Sequence, residues 1–332
     1  MSVPAPSASA TGPLLRVEDL TVRLGPRPGA PSLIDGVSLD IMAGETLGLV
    51  GESGSGKTTL GMAVMRLLAP RLARGTTGRI LYGGRDLLAL SARDITAVRG
   101  SEISMILQDP MASLNPVFTI GSQLKEALRR HATGEGSLEE RARRLMEEVR
   151  IPAAASRLRH YPHQMSGGMR QRVVGAIALA RAPKLLIADE PTTSLDVTIQ
   201  YQVLDLLHDL QRRLGMAMLF ITHDFGVVAR MCDRVAVMYA GRIVEQGPVR
   251  EIFHRPAHWY TRALLDSVPS VAGTPDRLPT IPGAPPGIAN RPEGCRFHPR
   301  CPNAQVRCGT EPGISAVAQG HEVRCWFPRG RA

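Results

Sequence analysis

The stretch Gly51-Glu52-Ser53-Gly54-Ser55-Gly56-Lys57-Thr58-Thr59 constrains the chain more than any other feature. The apolar run Thr46 to Val50 precedes it and reads as a buried strand. The run Lys57 to Ala69 follows it and reads as a helix stopped by Pro70. Strand, glycine-rich loop and helix in that order make a cradle for phosphate groups. The glycines let the backbone curl, its N–H groups point inward, and the helix N-terminus adds partial positive charge. Gly51, Ser53, Gly54, Ser55, Gly56, Lys57, Thr58 and Thr59 are therefore the candidate contacts. Of the 40 basic residues only three are lysine. One of these, Lys57, sits where a compact ammonium reaches the outer phosphates of a nucleotide.

Three further apolar runs end in polar side chains. Lys184-Leu185-Leu186-Ile187-Ala188-Asp189-Glu190 reads as a central parallel strand whose C-terminal end carries two carboxylates. Asp189 is placed to hold Mg²⁺ through a water, with Thr58 as a direct hydroxyl ligand. Glu190 is placed to polarise the water that attacks a γ-phosphate. Met218 to Thr222 ends in His223, which can contact the γ-phosphate or that water. Ile103 to Leu107 ends in Gln108, whose amide can ligate Mg²⁺. Each of the last two signals is weak alone, since a lone histidine or glutamine is usually a satisfied surface group.

Ser166-Gly167-Gly168-Met169 precedes the apolar run Val173 to Ala180, so small residues open a helix and leave free N–H groups. This is a second anion site, and two such sites in one chain suggest that two subunits share each nucleotide. Ser137-Leu138-Glu139-Glu140 is a capping box. The stripe Leu138, Ala142, Leu145, Met146 and Val149 behind it predicts an amphipathic helix in a mostly helical insert between Gln108 and Ser166.

In this order the phosphate loop, Gln108, Ser166-Gly167-Gly168, Asp189-Glu190, Ser194-Leu195-Asp196 and His223 resemble an ABC-type ATPase subunit. The strings Gln108 to Pro116, Leu195 to Gln200 and Met238 to Glu245 are similar to the peptide/nickel import family. Gly294-Cys295-Arg296-Phe297-His298-Pro299-Arg300-Cys301-Pro302 is similar to the C-terminal extension of its dipeptide and oligopeptide members. The resemblance implies ATP and Mg²⁺ as ligands, with Ser166, Gly167, Gly168 and Asp196 acting on the partner's nucleotide. It also implies a second ATPase chain, identical or related, two integral-membrane permease subunits and an extracytoplasmic substrate-binding protein. There are departures. Thr21-Val22-Arg23-Leu24 offers no aromatic ring to stack on adenine, Met169 replaces a glutamine, and Trp259 stands where proline is expected.

The five cysteines divide unevenly. Cys232 stands alone and reads as a buried hydrophobe, whereas Cys295, Cys301, Cys308 and Cys325 cluster near the end. Clustered cysteines in a cytoplasmic chain favour metal over disulfides. The spacings lack the close pair usual for structural zinc. Zinc and free thiols remain alternatives, and the resemblance implies a [4Fe–4S] cluster, for which four thiolates are the ligand set.

No apolar run approaches the about 18 residues needed to cross a bilayer. Met1 to Pro13 reads as a disordered lead rather than a signal peptide. The chain is thus expected at the cytoplasmic face of the inner membrane, held there by separate permease subunits. The helical insert and the region after Gln108 are the expected coupling surface. A net charge of +10 admits nucleic acid, and a nucleic-acid-directed ATPase of the same type is the alternative. Without an aromatic-interleaved basic patch, solvated arginine is the simpler account and no nucleic-acid partner is expected. The expected fold is α/β: a phosphate-loop core with a mixed sheet, an antiparallel β subdomain, a helical insert (about 109–170) and a Cys-rich extension. The expected boundaries are 1–13 for the lead, 14–265 for the ATPase domain, and 266–332 for a Pro/Gly linker and the extension.

Overall fold

The computed structural model describes residues 12–27, 29–109, 113–129, 136–193, 195–268 and 280–330. Most of the expected lead, residues 269–279 of the expected linker, residues 110–112 and 130–135 of the expected insert, and Ser194 lie outside the described residues.

The chain starts with β1 (Leu15–Arg23), β2 (Ser32–Ile41), β3 (Thr46–Val50) and α1 (Lys57–Val64). Next come α2 (Pro70–Ala73), β4 (Thr76–Tyr82), β5 (Arg85–Asp86), α3 (Ala92–Val98) and β6 (Ile103–Ile106). Helices α4 (Ile120–Arg129), α5 (Leu138–Glu148), α6 (Ala154–Arg157) and α7 (Gly167–Leu179) follow. Then β7 (Leu185–Asp189), α8 (Val197–Leu214), β8 (Ala217–Thr222), α9 (Phe225–Met231) and β9 (Arg234–Tyr239) alternate. The last elements are β10 (Arg242–Pro248), α10 (Val249–His254), α11 (Trp259–Asp266), β11 (Ser315–Ala318) and β12 (His321–Val323).

Two sheets organise these elements. The first is antiparallel, in the order β2-β1-β4-β5. The second runs β11-β12-β10-β9-β3-β8-β7-β6 and is mixed. Its β9-β3-β8-β7-β6 portion is parallel, while β10, β12 and β11 join one edge antiparallel. Every residue of β3, β7 and β8 is buried, as strands covered on both faces require. The tail thus supplies the last two strands of the main sheet, which its cysteine pattern did not announce.

Register decides where the chemistry collects. Val50 pairs with Thr222, Asp189 with Ile221, and Ile106 with Ala188. The residues after these strand ends (Gly51, Glu190, His223 and Gln108) therefore emerge along one edge, where open α/β sheets bind ligands.

Helix α1 is shorter than the run Lys57 to Ala69 predicts. Arg66 takes a left-handed φ of 50° and the Leu67 N–H turns back to the Met62 carbonyl, closing the helix before Pro70. Helix α5 begins at the predicted capping box. Its Ala142, Met146 and Val149 pack with Leu124 and Leu128 of α4 and Val173 of α7. A second core fills the space between the antiparallel sheet and β3, around Leu20, Ile34, Leu49 and Leu60.

Candidate functional site

Two glycines make the loop after β3 possible. A side chain at Gly51 would lie 2.1 Å from the Met238 carbonyl oxygen, and Gly56 takes a φ of 108° against Leu33 and Met238. Ser53 and Gly54 are exposed on the loop, Thr59 is half-buried, and the buried Ser55 hydroxyl has no partner. Lys57 opens α1 and is buried. Its Nζ donates to the carbonyls of Gly51 (2.7 Å) and Glu52 (3.1 Å). Burial pulls the Lys57 pKa down, and the carboxylates of Glu190, Asp189 and Glu52 oppose that pull. The ammonium is thus partly stripped of water and ready for a phosphate oxygen.

The Thr58 hydroxyl donates to Oδ1 of Asp189 at 3.2 Å, so the two oxygens expected to serve Mg²⁺ are adjacent. Burial raises the Asp189 pKa; the Thr58 bond and Lys57 counter it. A hydroxyl and a carboxylate side by side are the hard oxygen donors that Mg²⁺ prefers.

Glu190 takes a left-handed φ of 46° and donates its amide to the Ile221 carbonyl at 2.9 Å, which turns its side chain off the strand end. The Gln108 amide donates to Oε2 at 3.1 Å and the Thr193 hydroxyl to the same oxygen at 2.9 Å. Nδ1 of His223 lies 3.2 Å from Oε1. Gln108, Glu190 and His223, weak signals taken singly, are thus one cluster. Thr193 is a partner that the sequence reading missed.

Ser166 caps α7 by accepting from the Met169 N–H at 3.4 Å, and Asp196 caps α8 by accepting from the Ile199 N–H at 3.0 Å. Gly167 faces Leu195, and Gly168 packs so tightly on Ile199 that a Cβ would come within 2.4 Å of its Cγ2. The four residues expected to act on a partner's nucleotide therefore sit at two abutting helix starts.

Cys295, Cys301, Cys308 and Cys325 line one small pocket with His258, Phe297 and Trp326. Burial pushes the thiol of Cys295 up to about 11 and that of Cys325 to about 12, and Cys301 shifts the same way. Backbone N–H groups of Phe297 and His298 near Cys295, of Asn303 near Cys301 and of Phe327 near Cys325 partly offset that rise. Such donors stabilise thiolates. His258 is buried, its Nδ1 accepts from the Tyr260 N–H at 3.0 Å, and its Nε2 is left without a partner. Among the described residues, no set of three or more His, Cys, Asp or Glu converges as a single metal ion requires. Cys232 is apart, its sulfur against Gly48 and its thiol pKa raised by burial. Trp259, for which the sequence suggested no consequence, donates Nε1 to the Phe327 carbonyl at 3.0 Å and anchors the end of the chain.

Two family models match the chain. Residues 34–193 match the ABC transporter family model, and residues 244–308 match the oligopeptide/dipeptide transporter C-terminal region. The chain is 46% identical to the dipeptide transport ATP-binding protein of Bacillus subtilis, covering 96% of both chains. It is 45% identical to the oligopeptide transport ATP-binding protein of Salmonella typhimurium, covering 95% of this chain and 94% of that one. A solved dimeric ATP-binding cassette in a post-hydrolysis state, bound to ADP and Pi, aligns with a TM-score of 0.62 at 25% identity. That alignment covers 71% of this chain and 99% of the cassette. The nucleic-acid alternative has no support in these likenesses.

Proposed function

The chain belongs to the ABC transporter ATP-binding family, in the branch that carries the oligopeptide/dipeptide C-terminal region, and we propose that it hydrolyses ATP to energise peptide import. The observation that carries this reading is the cluster Gln108–Glu190–His223 set beside the phosphate loop. Relatives over nearly the whole chain are named for dipeptide and oligopeptide transport, which supports a peptide as cargo.

In the proposed cycle the loop Gly51–Thr59 wraps the phosphates with its N–H groups and Lys57 holds the β- and γ-phosphates. Thr58, Asp189 and Gln108 would hold Mg²⁺, which neutralises charge developing on the transferred phosphoryl group. Glu190, aimed by Gln108, Thr193 and His223, polarises the attacking water. Ser166, Gly167, Gly168 and Asp196 close onto the nucleotide of a second ATPase chain. Hydrolysis removes the bridging phosphate and lets the pair part.

Among the described residues, no helix is long and apolar enough to cross a membrane. In the proposed transporter, coupling to import rests on separate permease subunits at the cytoplasmic face of the inner membrane, fed by an extracytoplasmic substrate-binding protein, a reading supported by the relatives named for dipeptide and oligopeptide transport. A groove of 840 Å³ between the sheet and the helical insert supports this docking. Leu107 and Phe118 line it and are exposed, as expected of a partner surface.

We propose that the tail pocket holds a [4Fe–4S] cluster, a reading supported by the four thiols that line one cavity. Among the described residues no group of three or more His, Cys, Asp or Glu is placed to hold a metal ion, so the thiols would have to draw together around it. Such a cluster would brace residues 280–330 against the ATPase domain, here taken as 14–265.

The test is uptake of a labelled dipeptide by cells lacking this chain. Wild-type chain should restore uptake and the Glu190→Gln chain should not. Restoration by Glu190→Gln at the wild-type rate would refute the reading.

A further inference from the structure

The second residue of the phosphate loop is tied to the Cys-rich tail. Glu52 receives both ends of the Arg300 guanidinium: Nη1 to Oε2 at 2.7 Å and Nη2 to Oε1 at 3.0 Å. The Arg300 side chain is only 5% exposed and Glu52 is 25% exposed. Arg300 is itself held in place. Its Nε donates to the Pro282 carbonyl at 2.9 Å, Nη1 donates to the Tyr239 hydroxyl at 3.2 Å, and the Phe297 and Tyr239 rings lie within 6 Å of its charge. Glu52 is gripped at two further atoms. Its N–H donates to the Tyr260 hydroxyl at 2.8 Å, and its carbonyl accepts from Lys57 Nζ at 3.1 Å.

A carboxylate in a loop that receives a polyphosphate has to be neutralised or turned aside. Unpaired, it would repel the phosphates and offer Lys57 a competing partner. A planar bidentate arginine cancels that charge and fixes its direction at once.

We infer that Arg300 is a positioning residue for ATP: it neutralises Glu52 and holds the phosphate loop open for the nucleotide. The inference rests on the reading of Gly51–Thr59 as the ATP loop, and it assigns the tail a part in nucleotide binding. Arg300 closes the short turn His298–Arg300, which Cys301 caps, so the cysteine pocket and the clamp on the loop share one segment.

The experiment measures the Kd of a non-hydrolysable ATP analogue for the purified full chain. Arg300→Ala should weaken binding about tenfold or more, because it strands the Glu52 charge. The double variant Glu52→Gln, Arg300→Ala carries no stranded charge and should return to within about threefold of wild type. Arg300→Lys, which keeps the charge but loses the fork, should fall between. Thiol and metal content of each variant reports whether the tail is still assembled. Lys57→Ala serves as the control for the ATP loop itself. If Lys57→Ala weakens binding and Arg300→Ala does not, the inference fails while the loop reading stands. If Lys57→Ala binds like wild type, the loop reading itself is wrong. A double variant as weak as Arg300→Ala with an assembled tail also overturns the inference, since the Glu52 charge would then be irrelevant.

Discussion

The Gln108 amide donates to Oε2 of Glu190 across 3.1 Å, joining two residues 82 positions apart in sequence that follow the parallel strands β6 and β7. With Thr193 and His223 it leaves the Glu190 carboxylate little freedom to turn away from the strand end.

Glu190→Gln keeps the shape and the acceptor oxygen of that carboxylate but removes the base. Turnover in the assembled transporter should fall about a hundredfold or more, while ATP affinity changes little. Lys57→Ala should behave differently, weakening ATP binding as well as turnover. Paired measurements of Kd and kcat separate the two roles, and near-normal turnover by Glu190→Gln would sink the assignment.

Ser166→Arg places a long cation at the exposed start of α7 without touching the phosphate loop. ATP binding to this chain should survive and ATP-dependent pairing with a second ATPase chain should not. Sedimentation or gel filtration in a Glu190→Gln background reads the outcome. Dimerisation equal to that of the parent would refute the shared site.

Gly168→Ala tests the junction of α7 and α8. The new methyl would overlap Ile199 Cγ2, so the helix starts must move apart. A loss of about 1–3 kcal/mol is expected, visible as a lower Tm in thermal unfolding. An unchanged Tm would show that the two helix starts are loosely packed.

Cys301→Ser removes one of the four thiols lining the tail pocket. Anaerobically purified wild-type chain should be brown with about four irons, and the variant should be bleached. Limited proteolysis should then cut residues 290–330 faster while the analogue still binds the phosphate loop. Stoichiometric zinc without iron in the wild type would replace the cluster with a structural zinc site.

Much of this was legible locally. The glycine loop, the apolar strands ending in polar groups and the Ser137 capping box each rest on residues within a few positions, where backbone sterics and periodicity leave a pattern. Even there α1 ended early, because Arg66 turned left-handed before Pro70 could act. The weak single signals at Gln108 and His223 became one cluster only when parallel register set them beside Glu190.

The sequence by itself determined the phosphate loop, the α/β class and the four-cysteine set, since these depend on residue type and short spacing. Tertiary structure alone decided that Arg300 meets Glu52 across 248 positions, that Gly168 abuts Ile199, and that β12 extends the ATPase sheet through β10. Such contacts join single residues from distant segments, so no periodicity or spacing announces them. They exist only because the packed core fixes where each segment lies.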